Sequence, residues 1–474
     1  MEFPGFVGPS YQLQSLNAGV ERCVNLYAEK MEVPGADPAW TYYGTPGLTL
    51  LLTCPDAPIR AQYFLNGRAF AVAGAGLYET TSGAAVFLGA VLNDGQPASM
   101  ASNGVAGGQL FVVSGGSGYI LTLTTNAFAV IAAAGFPTGT AMQAGFLDGY
   151  FLVLAPTKFQ VSALEDGTTW PAAQVAQRSI AADSWVSMLV LPRFVWLFGT
   201  QTSEVWYDVG ATFPFAPLGN VLVPHGIAAI WSAAPVDNSV AWLARNVDGD
   251  RMVLLADQYV PKRISTHAVE TALMTCADVS DFLGFSYQEQ GHNFYLLTSR
   301  ANKMTWAYDA ATGLWHERGW WNTTTGEYEA IRARNHIAPF GQHWVGDRET
   351  GAIYQQALGT YTEAGIAIRS LRRFPHLIAE LNRMYYSSLQ LNFQPGTGLV
   401  DGTDPQIMLR WSDDGGYTWS NESWLSGGLM GQMSTRAIWR RLGYGRNRVF
   451  EIVQTTNVKR AWLAAYLNAQ PGTS

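Results

Sequence analysis

Charge is scarce in this chain. Charged side chains make up 14% of 474 residues, against roughly 25% in ordinary soluble proteins. Disorder needs the opposite balance, much charge and little apolar content, and 48% of these residues are hydrophobic. Lysine is rarer still: Lys30, Lys158, Lys262, Lys303 and Lys459 stand against 24 arginines. The formal net charge of −7 argues against a protein that grips nucleic acid by neutralising phosphates, which takes a basic surface. Cysteine is limited to Cys23, Cys54 and Cys276 without CxxC spacing, so neither a zinc site nor a disulfide framework is implied. A long apolar run is missing too. Residues 95–147 carry no charge, but their most apolar part, Tyr119–Phe136, includes three Thr and one Asn. A spanning helix takes about 20 mostly apolar residues. We therefore expect no membrane insertion and read this stretch as buried or inter-subunit β structure. The opening Glu2-Phe3-Pro4-Gly5 lacks a basic and then apolar leader, so synthesis and folding in a cytosol are expected.

Catalytic signatures are equally sparse. No Lys follows a Gly, which excludes a Walker-A phosphate loop, and HExxH does not occur. The histidines (225, 267, 292, 316, 336, 343, 376) show no i,i+4 pair that would share a helix face. Asp248 with Asp250, Asp278 with Asp281, and Asp413 with Asp414 are local carboxylate pairs. Asp248-Gly249-Asp250 has a plain turn reading, and no EF-hand loop follows. No catalytic, cofactor-binding or metal-binding residue is predicted, and no cofactor.

What the chain has is turns, aromatics and a repeat. Forty-nine Gly and 22 Pro accompany 17 Trp, 21 Tyr and 22 Phe, a composition that suits pleated sheets and tight turns. One unit recurs: a polar or Gly turn, an apolar strand, a second turn, then an aromatic strand. Its anchors are Gly67, Gly108, Gly149, Arg193, Asn238, Gly291 and Gly341, spaced 41, 41, 44, 45, 53 and 50 residues apart. A four-stranded propeller blade takes roughly 40–50 residues. The spacing predicts an all-β chain with an irregular β-propeller of six to seven blade-like repeats over 56–358. A pair of β-sandwiches is the other architecture that fits.

Residues 1–55 read as an extended arm that packs on the C-terminal domain or on a neighbour, with a turn at 42–47. Residues 359–474 read as a separate β-sandwich-like domain. They hold 12 basic and 8 acidic residues, +4, which leaves 17 basic and 28 acidic residues, −11, for the remainder. Segregated charge fits two surfaces with different partners. Within this domain Ser412-Asp413-Asp414-Gly415-Gly416-Tyr417-Thr418-Trp419 matches the Asp-box, S-x-D-x-G-x-T-W. Its expected role is structural: Asp414 satisfies turn amides, Gly416 allows positive φ, and Thr418 and Trp419 start the next strand and pack under the turn.

Four further segments occur in order: Glu21-Arg22-Cys23-Val24-Asn25-Leu26-Tyr27-Ala28-Glu29, Phe198 through Tyr207, Gly346 through Tyr354, and Leu409 through Trp419. Together they resemble the packaged-DNA stabilisation proteins of short-tailed bacteriophages, also termed tail hub or tail nozzle proteins. That resemblance implies a structural virion protein, made in the bacterial host cytoplasm and located in the phage tail. It implies a homohexameric ring below the portal and its adaptor ring. Such a ring extends the DNA channel, retains the packaged genome without sequence-specific binding of the passing DNA, and anchors tailspikes or fibres and the tail needle or plug. It implies no enzyme. Two other readings stay open. A propeller with an Asp-box also resembles sialidase-like glycan hydrolases, which need an Arg cluster and a Tyr nucleophile backed by Glu. A non-catalytic glycan-binding propeller could stack sugars on Trp320-Trp321.

Overall fold

The computed structural model describes residues 2–33, 35, 38–178, 183–378 and 382–472. Its sheets follow the repeat. Four antiparallel sheets of four strands run from Ile59–Leu65 to Val86–Ala90, from Ser99–Ser102 to Ala127–Val130, from Gln143–Leu147 to Val175–Gln177, and from Trp185–Leu191 to Phe215–Val223. A fifth runs from Gly226–Ile227 to Val260–Arg263, and a sixth from Leu283–Glu289 to Leu314–Arg318. The seventh comprises Ala333–Ile337, His343–Asp347 and Ala352–Ala357, and its fourth strand is Gly47–Thr53 from far upstream.

The seven anchors lie at or beside the first turn of each blade. Asn66-Gly67, Asp148-Gly149 and Gln290-Gly291 hold paired positive φ angles of 53° and 74°, 49° and 88°, and 49° and 85°. Such two-residue turns match the twist of the strands they join. The spacing read in the sequence is thus the spacing of these turns. The uncharged stretch is the second blade and the start of the third. Tyr119–Phe136 begins there as an ordinary hairpin, Ser117–Thr122 against Ala127–Val130.

A lone blade cannot bury both faces of its sheet, so neighbours must cover one another. Seven apolar clusters do this. Phe70 and Leu110 meet between the first and second blades, Phe111 and Val153 between the second and third, and Phe159 and Trp185 between the third and fourth. Trp196 and Trp242 follow, then Leu243 and Tyr295, then Leu296 and Val345. Ile353 and Ala71 join the seventh blade to the first, which closes the ring. One nine-residue helix, His267–Thr275, links the fifth and sixth blades; the Thr266 side chain caps it by accepting from the Val269 N–H.

Beyond the ring lies a two-sheet sandwich. One sheet runs Val20–Val24, Ser370–Arg373, Asn447–Gln454, Gln406–Ser412, Ser423–Ser426. The other runs Leu26–Lys30, Trp40–Gly44, Ala461–Pro471, Met384–Phe393, Ala437–Arg440. A single core fills the gap, with Leu391, Leu409, Phe450 and Trp462 at its centre.

The first 55 residues serve three places. Phe3 and Phe6 are 2% exposed and pack edge-on against Phe374, with centroids 4.9 and 5.2 Å away. Arg372 holds this segment by donating to the carbonyls of Gly5 (2.8 Å), Phe6 (2.7 Å) and Pro9 (3.1 Å). Three strands then complete the sandwich sheets, and Gly47–Thr53 completes the seventh blade. Residues 42–44, expected in a turn, are strand; only Thr45-Pro46 separates Trp40–Gly44 from Gly47–Thr53. A side chain at Gly47 would sit 2.4 Å from the Thr360 carbonyl oxygen, so glycine alone fits this crossing.

Candidate functional site

The Asp-box folds as a turn around one carboxylate. Asp414 accepts from the Ser412 hydroxyl (2.6 Å), the Tyr417 N–H (3.0 Å), the Thr418 N–H (2.9 Å) and the Thr418 hydroxyl (2.6 Å). The Ser412 and Thr418 hydrogen bonds hold its pKa far below the usual carboxylate range, because they favour the ionised form. Gly416 has φ +103° and donates its N–H to Ser412 Oγ at 2.8 Å. The structure differs in the exit from the turn. The next strand starts at Ser423, so Thr418 and Trp419 lie in the loop. The guanidinium groups of Arg373 and Arg410 lie 4.8 and 4.7 Å from the centre of the Trp419 ring, within cation–π range, and the ring edge stays beside the turn, 4.0 Å from where a Cβ on Gly416 would sit. The neighbour Asp413 has a role of its own. It pairs with Arg448 at 2.7 Å, and Arg448 is 1% exposed and lies 4.3 Å from the Tyr386 ring.

A second candidate lies in the ring. Loops and strand ends of the ring line a half-open cavity of about 550 Å³, among them Trp231, Thr298, Arg334 and Arg348. That volume is in the range of ligand sites. Among the described residues, Asp281 is its one acidic lining residue and no tyrosine lines it. Asp281 already accepts from the Ser299 hydroxyl (2.7 Å) and the Ala301 N–H (2.8 Å). This cavity therefore lacks the Tyr–Glu pair of the hydrolase reading. Trp320 and Trp321 are half-buried and each has a guanidinium over its ring, Arg332 at 5.8 Å and Arg369 at 4.4 Å.

A family described as "Bacteriophage P22 Gp10, beta-propeller" matches residues 21–360, and its companion "Bacteriophage P22 Gp10, beta-sandwich" matches residues 371–470. The chain belongs to the P22 Gp10 family. That family is one of structural phage tail-hub proteins. No curated protein sequence matches the chain. Among solved structures, the N-terminal domain of Nup159 aligns at 10% identity and TM-score 0.40, over 71% of this chain and 98% of its own. The extracellular domain of a hybrid two-component system from B. thetaiotaomicron aligns at 7% identity and TM-score 0.44, over 77% and 43%.

In this Gp10-family chain the joint between ring and sandwich concentrates the buried charge. Val24 pairs in parallel with Glu317 of the sixth blade, so one sheet continues from the propeller into the sandwich. The Glu317 carboxylate accepts from Arg22 Nε at 3.0 Å and from the Ser10 hydroxyl at 3.0 Å. Burial opposes its ionisation, yet Arg22 carries its pKa below the usual range. Glu451, fully buried, takes Arg373 Nε at 2.8 Å and Arg410 Nε at 2.6 Å. His292 of the sixth blade bridges Asp309 (2.8 Å) and Glu29 of the sandwich (2.7 Å). The Asp309 hydrogen bond, with help from Glu29, pushes its pKa up to about 9.

The search for histidines on one helix face missed a pair that a hairpin makes. His336 Nε2 and His343 Nδ1 lie 2.9 Å apart across the first turn of the seventh blade. Burial, with His343 beside it, pushes His336 down to about 3, and burial also lowers His343. Among the described residues no cluster of three or more His, Cys, Asp or Glu could hold a metal ion, and no helix is long and apolar enough to cross a membrane.

Proposed function

We propose that this chain is the subunit of a tail nozzle: a homohexameric ring seated below the portal and its adaptor. There it extends the DNA channel, retains the packaged genome, and anchors tailspikes or fibres and the tail needle. Membership of the Gp10 family, matched on both of its domains, carries this reading. The charge pattern supports it. The first 358 residues sum to −11, and carboxylates on a channel wall repel phosphates that must slide past, where Arg and Lys would bind them. The +4 unit that follows suits an acidic surface on an adaptor or spike. The low charge content suits a subunit whose apolar and aromatic surface is covered on assembly.

Counting copies of this chain against the major capsid protein in purified particles, by quantitative mass spectrometry, tests the proposal. About six copies per particle are expected from a homohexamer; near zero removes the reading. Substituting channel-facing Asp and Glu by Lys is expected to slow DNA ejection in a salt-sensitive way, and an unchanged rate would sink the electrostatic part.

A further inference from the structure

The outer strand of a blade presents a row of backbone N–H and C=O groups, and an open edge of this kind recruits further strands unless it is guarded. Five of the seven outer strands are guarded. Val175–Gln177 has three residues and is followed by Arg178, Phe215–Val223 contains Pro217, and Val260–Arg263 contains Pro261, Lys262 and Arg263. Leu314–Arg318 pairs with Val20–Val24, and Gly47–Thr53 pairs with Thr362–Glu363. The outer strands of the first and second blades, Val86–Ala90 and Ala127–Val130, contain neither charge nor proline. Among the described residues no strand pairs with their outer sides. Their side chains are open too: Val86, Phe87 and Val130 are 51, 58 and 56% exposed. A Cβ on Gly89 would fall 2.1 Å from the Phe128 ring, so the two strands pack together and form one face. Glu79, opposite Val86 in the sheet, is already paired with Arg68 at 2.6 Å. An uncharged apolar face of this kind marks an interaction site.

A second such region lies at the other end of the molecule. The sheet that leaves the sixth blade ends at Ser423–Ser426, five strands further on, about 24 Å at the usual strand spacing. From Ser423 to Thr435 there is no charge, and Trp424, Met430 and Met433 are 48, 57 and 69% exposed. Methionine adapts its shape to what it meets. The second blade stands three places round the ring from the sixth, so the two regions lie on opposite flanks of the subunit. Neither offers charge to an acidic or a basic partner, and each matches the other in chemistry. Two unlike faces at opposite ends of one chain are what a head-to-tail ring requires, because a heterologous contact joins different patches of successive subunits. We propose that the paired outer strands of the first two blades dock on the 423–433 region of the next copy of this chain. The proposal rests on the ring reading above and names the surfaces that close that ring.

Photocrosslinking in purified particles tests this, with p-benzoylphenylalanine substituted at Phe87. Irradiation is expected to give covalent multimers of this chain, with the cross-link mapped by mass spectrometry to residues 423–433 of a second copy. If the chain is present at about six copies but cross-links to another virion protein, or to none, the proposal is overturned while the nozzle reading stands. A cross-link between the 86–90 strands of two copies overturns the head-to-tail arrangement. Particles that lack the chain remove both readings. A second test places charge on the face. Phe87→Asp combined with Val130→Asp should lower the copy number by about tenfold, because assembly would bury two unpaired carboxylates. Val247→Asp, at a site 73% exposed outside both regions, should leave the count unchanged. A parental copy number in the double variant overturns the proposal. Phe87 and Val130 are exposed, so the isolated double variant should melt as the parent does; a lower melting temperature would show that these strands serve the blades instead.

Discussion

The ring and the sandwich solve the same problem, an excess of apolar surface, in opposite ways. The ring divides its interior into seven thin clusters, each shared by two blades, so every blade depends on both neighbours and on closure. The sandwich gathers its interior into one core and adds buried charge at the rim. It is also assembled from chain ends: Phe3, Phe6 and three strands before residue 45 belong to it as much as residues 370–471 do. Local sequence builds the ring apart from one strand; distant sequence builds the sandwich. The lesson is that a domain's span in the chain and its span in space need not agree.

The largest effect expected from this difference is on fragments. Residues 359–474 alone lack the N-terminal strands and the Phe3 and Phe6 contacts, so they should show no cooperative thermal transition and no near-ultraviolet circular dichroism. Residues 47–358 keep all seven blades and should melt cooperatively. A folded 359–474 fragment would break the comparison. Next comes the buried charge. Glu451→Ala strands Arg373 and Arg410 and should cost about 3–5 kcal/mol in urea unfolding. Phe3→Ala, which opens a cavity at the sandwich end without touching the ring, should cost about 3 kcal/mol. Monitoring ring tryptophans in that variant asks whether the two units unfold together.

A smaller effect is in pH. His292, raised to about 9 by Asp309 and Glu29, gains its partners as a cation in the folded chain. Its contribution is fully present below the unfolded value of about 6.5 and is lost as pH rises through about 9. The melting temperature of His292→Asn should therefore fall less than that of the parent between pH 6.5 and 9. Smallest is the Asp-box. Asp413→Asn should lower the melting temperature more than Asp414→Asn, because Asp413 alone pairs with the buried Arg448 while Asp414 is bonded within its own exposed turn.

The ring was legible because its signal is local. Turn residues such as Asn66-Gly67 and Asp148-Gly149 mark a period that needs no knowledge of pairing. The closing strand was not: nothing in Gly47–Thr53 names Ala352–Ala357 as its partner, and a period that starts at Gly67 hides it within an apparent arm. The Asp-box was legible from five fixed positions, yet the motif says nothing of Asp413, whose partner Arg448 is 35 residues on. Trp419 was expected to open the next strand, which starts only at Ser423; its pairing with Arg373 and Arg410 is a tertiary choice that the motif does not encode.

The upstream closing strand also sets a clock. A ribosome emits Gly47–Thr53 early, but its partner Ala352–Ala357 follows about 300 residues later, roughly 15–60 s at ordinary bacterial elongation speeds. Through that interval a nascent chain carries blades that cannot yet lock and an apolar strand that has no mate. The ring is thus a clasp whose two halves are made at different times, and its fastening reports that translation has passed residue 357.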